Sequence, residues 1–205
     1  MPKPPKPEGV PPSPRHKERG GSPPTPPRHV RMEATQWRDV THEMDNSNDR
    51  TAAIVAAGFV EHNLAVAILT RLRELTPDQQ KTIFEGQYAV LNAFSAKIQI
   101  GFALGLLNVD VKKDLDALRR VRNEFAHRLD VRSFDHDDVK DECDSLIGPK
   151  YLAWAAHKPI VPKRRDKFLN TAAHLIDRFA LEARYIKRPV GAQMMSYEVL
   201  PEAYR

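Results

Sequence analysis

Residues 48–75 read NDRTAAIVAAGFVEHNLAVAILTRLREL, and this run constrains the fold more than any other. It is apolar around almost its whole circumference and spans several helical turns. A helix of that kind cannot present a wet face, so it must lie at the centre of a bundle. Asn48 or Asp49 can cap its start, and the TPD that follows Leu75 is expected to end it. No window holds eighteen consecutive apolar residues, so the run is read as a core helix and not as a membrane span.

The rest of the chain follows a helical period, with no β alternation and no internal repeat. NAFSAKIQIGFALGLLN (Asn92–Asn108) is expected to be a helix capped by Ser95 and loosened at its end by Gly105 and Asn108. VKKDLDALRRVRNEFAHRL (Val111–Leu129) is expected to follow behind an Asp110 cap. SFDHDDVKDECDSL adds a short helix with Asp135 or His136 near its cap. Residues 148–165, with Pro149, Pro159 and Pro162, read as a loop. A last amphipathic helix is expected over about Lys163–Lys187. The fold class is therefore all-α, a single bundle of about five main helices.

Eleven of the 17 prolines fall in residues 1–31, together with seven Lys/Arg and two Glu. With almost nothing apolar to bury, residues 1–36 are expected to be a disordered basic tail. PPTPPR (Pro23–Arg28) fits a pattern read by some proline-binding domains, although such matches are common in any proline-rich stretch. Residues 37–187 then form the helical domain and residues 188–205 a C-terminal arm. Outside residues 1–31 the chain carries 25 basic and 25 acidic residues. The basic balance thus belongs to the tail, and a charge argument for nucleic-acid binding by the folded domain fails. RNA or another polyanion is expected to meet the tail only.

A single cysteine, Cys143, permits neither an intrachain disulfide nor a cysteine zinc site. Its acidic neighbours are expected to blunt its reactivity. The N-terminus has no apolar signal core, and a cytoplasmic location away from membranes is expected.

Arg122 falls on the same stripe as Leu115, Leu118, Phe125 and Leu129, which should face the core. A charge there needs a partner, and Glu61 and Glu85 are the candidates. His127 lies about 140° further round the axis, on the polar flank beside Asn123. The residue types of RNEFAH (Arg122–His127) suit phosphodiester chemistry. They equally suit an ion-pair anchor and a helix end where a protonated histidine meets the dipole.

Several segments resemble the mannitol operon repressor (MtlR-like) family: Phe94-Ser95-Ala96-Lys97-Ile98, Ala103-Leu104-Gly105-Leu106-Leu107, Asp114-Leu115, Arg119, Arg122-Asn123-Glu124-Phe125-Ala126-His127, Ser133-Phe134-Asp135 and Cys143. The likeness spans roughly residues 48–146. SFDHDD lacks the proline of the family pattern. RNEFAH also resembles the Arg-x4-6-His signature of HEPN domains, helical bundles that include metal-independent ribonucleases and inactive binding modules.

Two functions follow. The first is a regulatory protein that acts through an unidentified protein partner, as a homodimer, since no helix-turn-helix reader is visible. The alternative is a ribonuclease. His127 would then serve as general acid or base on the 2′-hydroxyl, Arg122 would stabilise the phosphorane and Asn123 would orient it. The site would be completed across a dimer interface. The domain is read as more regulatory than enzymatic. No cofactor is expected, since GxxxxGK[ST], GxGxxG and a serine elbow are all missing. Asp135, His136, Asp137 and Asp138 supply metal-ligand types, but helix capping explains them better, and no metal is expected.

Overall fold

The computed structural model describes Met44, residues 46–148 and residues 163–185. Among these, six helices and no strand occur, so the domain is all-α. The helices are α1 (Asp49–Leu69), α2 (Pro77–Phe84), α3 (Phe94–Ala103), α4 (Val109–His127), α5 (Asp137–Ser145) and α6 (Arg164–Tyr185). The proline-rich tail, the expected onset of order at Trp37, the C-terminal arm and nearly all of the expected 148–165 loop lie outside the described residues.

α1 is the central helix. Asn48 caps it, its Oδ1 accepting from the Thr51 N–H at 2.9 Å. Ala52, Ala53, Ala56, Ala57, Val60, Leu64, Ala67 and Ile68 are buried along it. The small alanines let α6 approach closely with Phe168, Ala172, Leu175, Ile176 and Phe179, all buried. Composition and length alone would let α1 cross a membrane, at mean hydropathy 1.8. Here that apolarity is spent on neighbouring helices: 56% of the window is buried inside the bundle.

α1 and α6 run parallel. Arg165 at the start of α6 binds the Asp49 carboxylate at the start of α1. At the other end the buried Arg71 pairs with the buried Glu182 at 3.7 Å. α4 runs the opposite way beside them. The Arg50 guanidinium donates to the carbonyls of Phe125, Arg128 (2.8 Å), Leu129 (3.2 Å) and Val131 (2.8 Å), closing the end of α4. Gly101 on α3 lies where an added Cβ would meet Leu107 Cδ1 at 3.1 Å and Leu64 Cδ1 at 3.4 Å, so a larger residue there would require those leucine side chains to shift by a few tenths of an ångström.

Several helix ends differ from the expected ones. α1 stops at Leu69, because the chain turns so that Arg71 can enter the interior. TPD opens α2 instead of closing α1. Thr76 caps it, and Gln79 returns a bond to the Thr76 N–H at 2.9 Å, a reciprocal capping box. Ser95 is not a cap. Phe94 must be buried, so α3 begins two residues earlier than a Ser95 cap would allow, behind Ala93, with Ser95 exposed in the first turn. Asn108, not Asp110, caps α4, accepting from the Val111 N–H at 2.8 Å. Asp110 instead sits in the first turn, where its charge suits the dipole. α4 ends at His127 because Arg50 takes the carbonyls beyond, and Leu129 is 83% exposed instead of in the core. Leu115, Leu118 and Phe125 are fully buried, as the stripe requires. His136 caps α5 through Nδ1, and Asp135 turns to Arg164 at 2.8 Å.

Cys143 is buried on α5. Burial pushes its thiol up to about 12, and the neighbouring Asp144 carboxylate adds to the effect. A thiol reagent at neutral pH is expected to leave the native protein unmodified while labelling the urea-unfolded chain fully. Rapid native labelling would show that α5 opens easily.

Candidate functional site

α4 carries Arg122 toward α1, where a three-residue charge network forms. Arg122 Nη2 donates to Glu61 Oε2 at 3.0 Å. Lys97 Nζ, from α3, donates to Glu61 Oε1 at 2.6 Å and to the Asn92 carbonyl at 2.9 Å. One carboxylate therefore ties three helices together. The guanidinium of Arg122 also lies 6.0 Å from the centre of the Phe94 ring, in cation–π range. Of the two partners read from sequence, Glu61 is the one used. Glu85 faces a cleft nearby instead. The side chains are 9% (Lys97), 19% (Glu61) and 27% (Arg122) exposed, so the network is shielded without being sealed.

His127 is placed differently. α4 is helical without interruption to its end, so Arg122 and His127 stay on separate faces of one helix. His127 is the last helical residue and is exposed. Its imidazole makes no hydrogen bond or ion pair among the described residues. Asn123, half-buried, lies between them. The two residues of the Arg-x4-His pattern thus do not converge within one chain.

The other residues that carry the resemblance make contacts within the bundle. Phe125 and Phe134 meet edge to face at 5.0 Å, and Phe134 meets Phe168 of α6 at 5.1 Å. Arg119 leans on Asp116 at 3.8 Å and Glu124 on Arg128 at 3.9 Å, both along the helix surface. Ser133 sits in the turn before α5, its carbonyl accepting from the His136 N–H at 3.1 Å. Asp114 is buried and its carboxylate accepts from the Ile147 and Gly148 N–H groups, both at 2.8 Å.

The acidic stretch before α5 resolves into ion pairs. Asp137 takes Lys140 at 2.5 Å, and Asp135 takes Arg164. Asp130, His136 and Asp138 offer ligand atoms within 4.8 Å of one another. Arg128 already bridges that group, at 2.7 Å from Asp130 and 2.6 Å from Asp138. Its hydrogen bonds hold the Asp130 carboxyl below the usual range. A guanidinium therefore already engages both carboxylates of the group. The involvement of Asp130, across a loop from the others, left no trace in local spacing.

Lys97 was missed from sequence, yet the signal existed. Phe94, Lys97, Ile98 and Gly101 share one helical stripe, and all four are buried. A lysine on a core stripe demands a carboxylate as much as Arg122 does.

The geometry defines an all-α bundle in which Arg122 is part of an internal charge network. Comparison with known proteins adds no name to that class: no family model, no curated protein and no solved structure matches the chain.

Proposed function

We propose that the domain is a regulatory module of the mannitol-operon-repressor type, working in the cytoplasm as a dimer through contacts with a protein partner. The observation that carries this reading is the engagement of Arg122. Its guanidinium is bound to Glu61 and lies by Phe94, and Glu61 is shared with Lys97. Freeing it for a phosphate would leave a shielded carboxylate with one cation fewer. A charge-balanced domain also lacks the electrostatic pull that RNA binding uses. Tyr88 (92% exposed) and Val90 (79%), on the turn between α2 and α3, supply apolar side chains for a partner to cover.

The ribonuclease reading keeps one specific support, the exposed imidazole of His127. Both readings meet in one experiment. The full chain and its His127→Ala variant are incubated with mixed RNA in EDTA, and light scattering follows the dimer. No 2′,3′-cyclic phosphate ends are expected from either protein. His127→Ala is expected to fold and associate normally, because an exposed helix-end residue has little packing to lose. Cleavage by the wild type that disappears in the variant would replace regulation with catalysis.

A further inference from the structure

We propose that the cleft between α1, α2 and α3 is a docking place for the chain's own segment Pro23–Arg28, PPTPPR, held by apolar contact and by an ion pair from Arg28 to Glu85. The cleft has a volume of about 270 Å³. That lies below the roughly 300 Å³ at which small-molecule pockets usually begin, and it suits a few side chains of a segment lying across it. Val66 and Leu69 of α1 and Phe84 of α2 form apolar wall. Beside them, a Cβ added to Gly58 would meet nothing within 4 Å, so the α1 side is open to a passing backbone.

Charge selects the occupant. Two carboxylates, Glu61 and Glu85, and one ammonium, Lys97, line the cleft. Lys97 is engaged by Glu61 and the Asn92 carbonyl, and Glu61 also takes Arg122. Glu85, exposed at the end of α2, makes no ion pair among the described residues. The unmatched charge in the cleft is therefore negative, and an apolar segment that ends in a cation complements it. Residues 1–31 carry seven Lys/Arg against two Glu, and Pro23–Arg28 contains four prolines and a single charge, Arg28. Such a segment enters an apolar groove with little backbone freedom left to lose. Reach is sufficient. Met44 is buried beside the start of α1, its carbonyl accepting from Arg165. Arg28 precedes it by 16 positions, a stretch that reaches about 50 Å when extended. The 21 residues of α1, along whose second half the cleft runs, cover only about 30 Å. Tethering gives the segment an effective concentration of about a millimolar, so contacts too weak to hold a free peptide suffice. The docking stands independently of whether the domain regulates through proteins or cleaves RNA.

The test places a nitroxide on the full chain through Ser22→Cys and reads the broadening of amide NMR signals. The label takes the new thiol and spares Cys143, which is buried. Signals of Gly58, Val66 and Glu85 are expected to broaden more than those of α5, which packs on α4 and α6 away from the cleft. Arg28→Glu is expected to weaken docking about fivefold, the upper worth of an exposed ion pair, and the cleft broadening falls with it. Adding Glu85→Arg to that variant is expected to restore the broadening, since the pair is then remade with its signs exchanged. Glu85 is exposed, so its reversal leaves the core untouched. Broadening spread evenly over the bundle would overturn the proposal. So would cleft broadening that Arg28→Glu leaves unchanged, or a loss that Glu85→Arg does not repair. A mixture of spin-labelled chain with isotope-labelled chain lacking the nitroxide is expected to show no cleft broadening. Broadening there would assign the segment to a second copy and overturn docking within one chain.

Discussion

Phe134→Ala is expected to remove about 3–5 kcal/mol of folding stability, read as a fall in the urea midpoint with little change in slope. Phe134 is 1% exposed and sits between Phe125 of α4 and Phe168 of α6. Truncation therefore loses the transfer energy of a ring and leaves a cavity facing two others. The rings belong to three separate segments, so the wall has little freedom to collapse. Against a total of about 5–15 kcal/mol for a typical domain, this leaves the variant marginal. Phe134→Leu keeps most of the volume and is expected to cost less than about 1.5 kcal/mol. A small loss in Phe134→Ala would mean that the SFD turn is not anchored by its aromatic residue.

Arg71→Met is expected to be comparably damaging, at about 3–5 kcal/mol, because it takes a guanidinium away from the buried Glu182 carboxylate. Both partners are only 3% exposed. Their approach of 3.7 Å is loose for an ion pair, so its own attraction is modest although both charges are buried. The double variant Arg71→Met/Glu182→Leu is expected to regain most of the loss, as apolar replacements of buried ion pairs often do. Thermal melting of the two singles and the double gives the coupling directly. Additive losses would show that each residue serves other neighbours instead of its partner.

Much of the bundle was legible because it follows from periodicity. The Leu115, Leu118 and Phe125 stripe needs only the angular step of a helix, and the Asn48 cap needs only its position before an apolar run. Even the pairing of Arg122 with Glu61 could be narrowed to two candidates, since a charge on a core stripe demands an opposite one. What escaped was decided by contacts distant in sequence. α4 stops at His127 because Arg50 binds its terminal carbonyls from 75–81 residues away. α1 stops at Leu69 as Arg71 turns inward to a residue more than a hundred positions later. Ser95 lost the capping position because burying Phe94 fixed where α3 starts. The candidate site divides the same way. The RNEFAH helix was visible, whereas the cleft around Lys97 depends on how α1, α2 and α3 come together.

The parallel pairing of α1 with α6 has a consequence for how the chain is made. The residues that pair near their starts, Asp49 and Arg165, are 116 positions apart. At about 5–20 residues per second, a ribosome needs roughly 6–23 s to travel from one to the other. Throughout that interval the alanine-rich face of α1 has left the exit tunnel, or is leaving it, with its largest partner still unwritten. The nascent chain must therefore shelter its most apolar helix on α3 and α4 alone, or on a chaperone, until the last helix arrives to close the bundle.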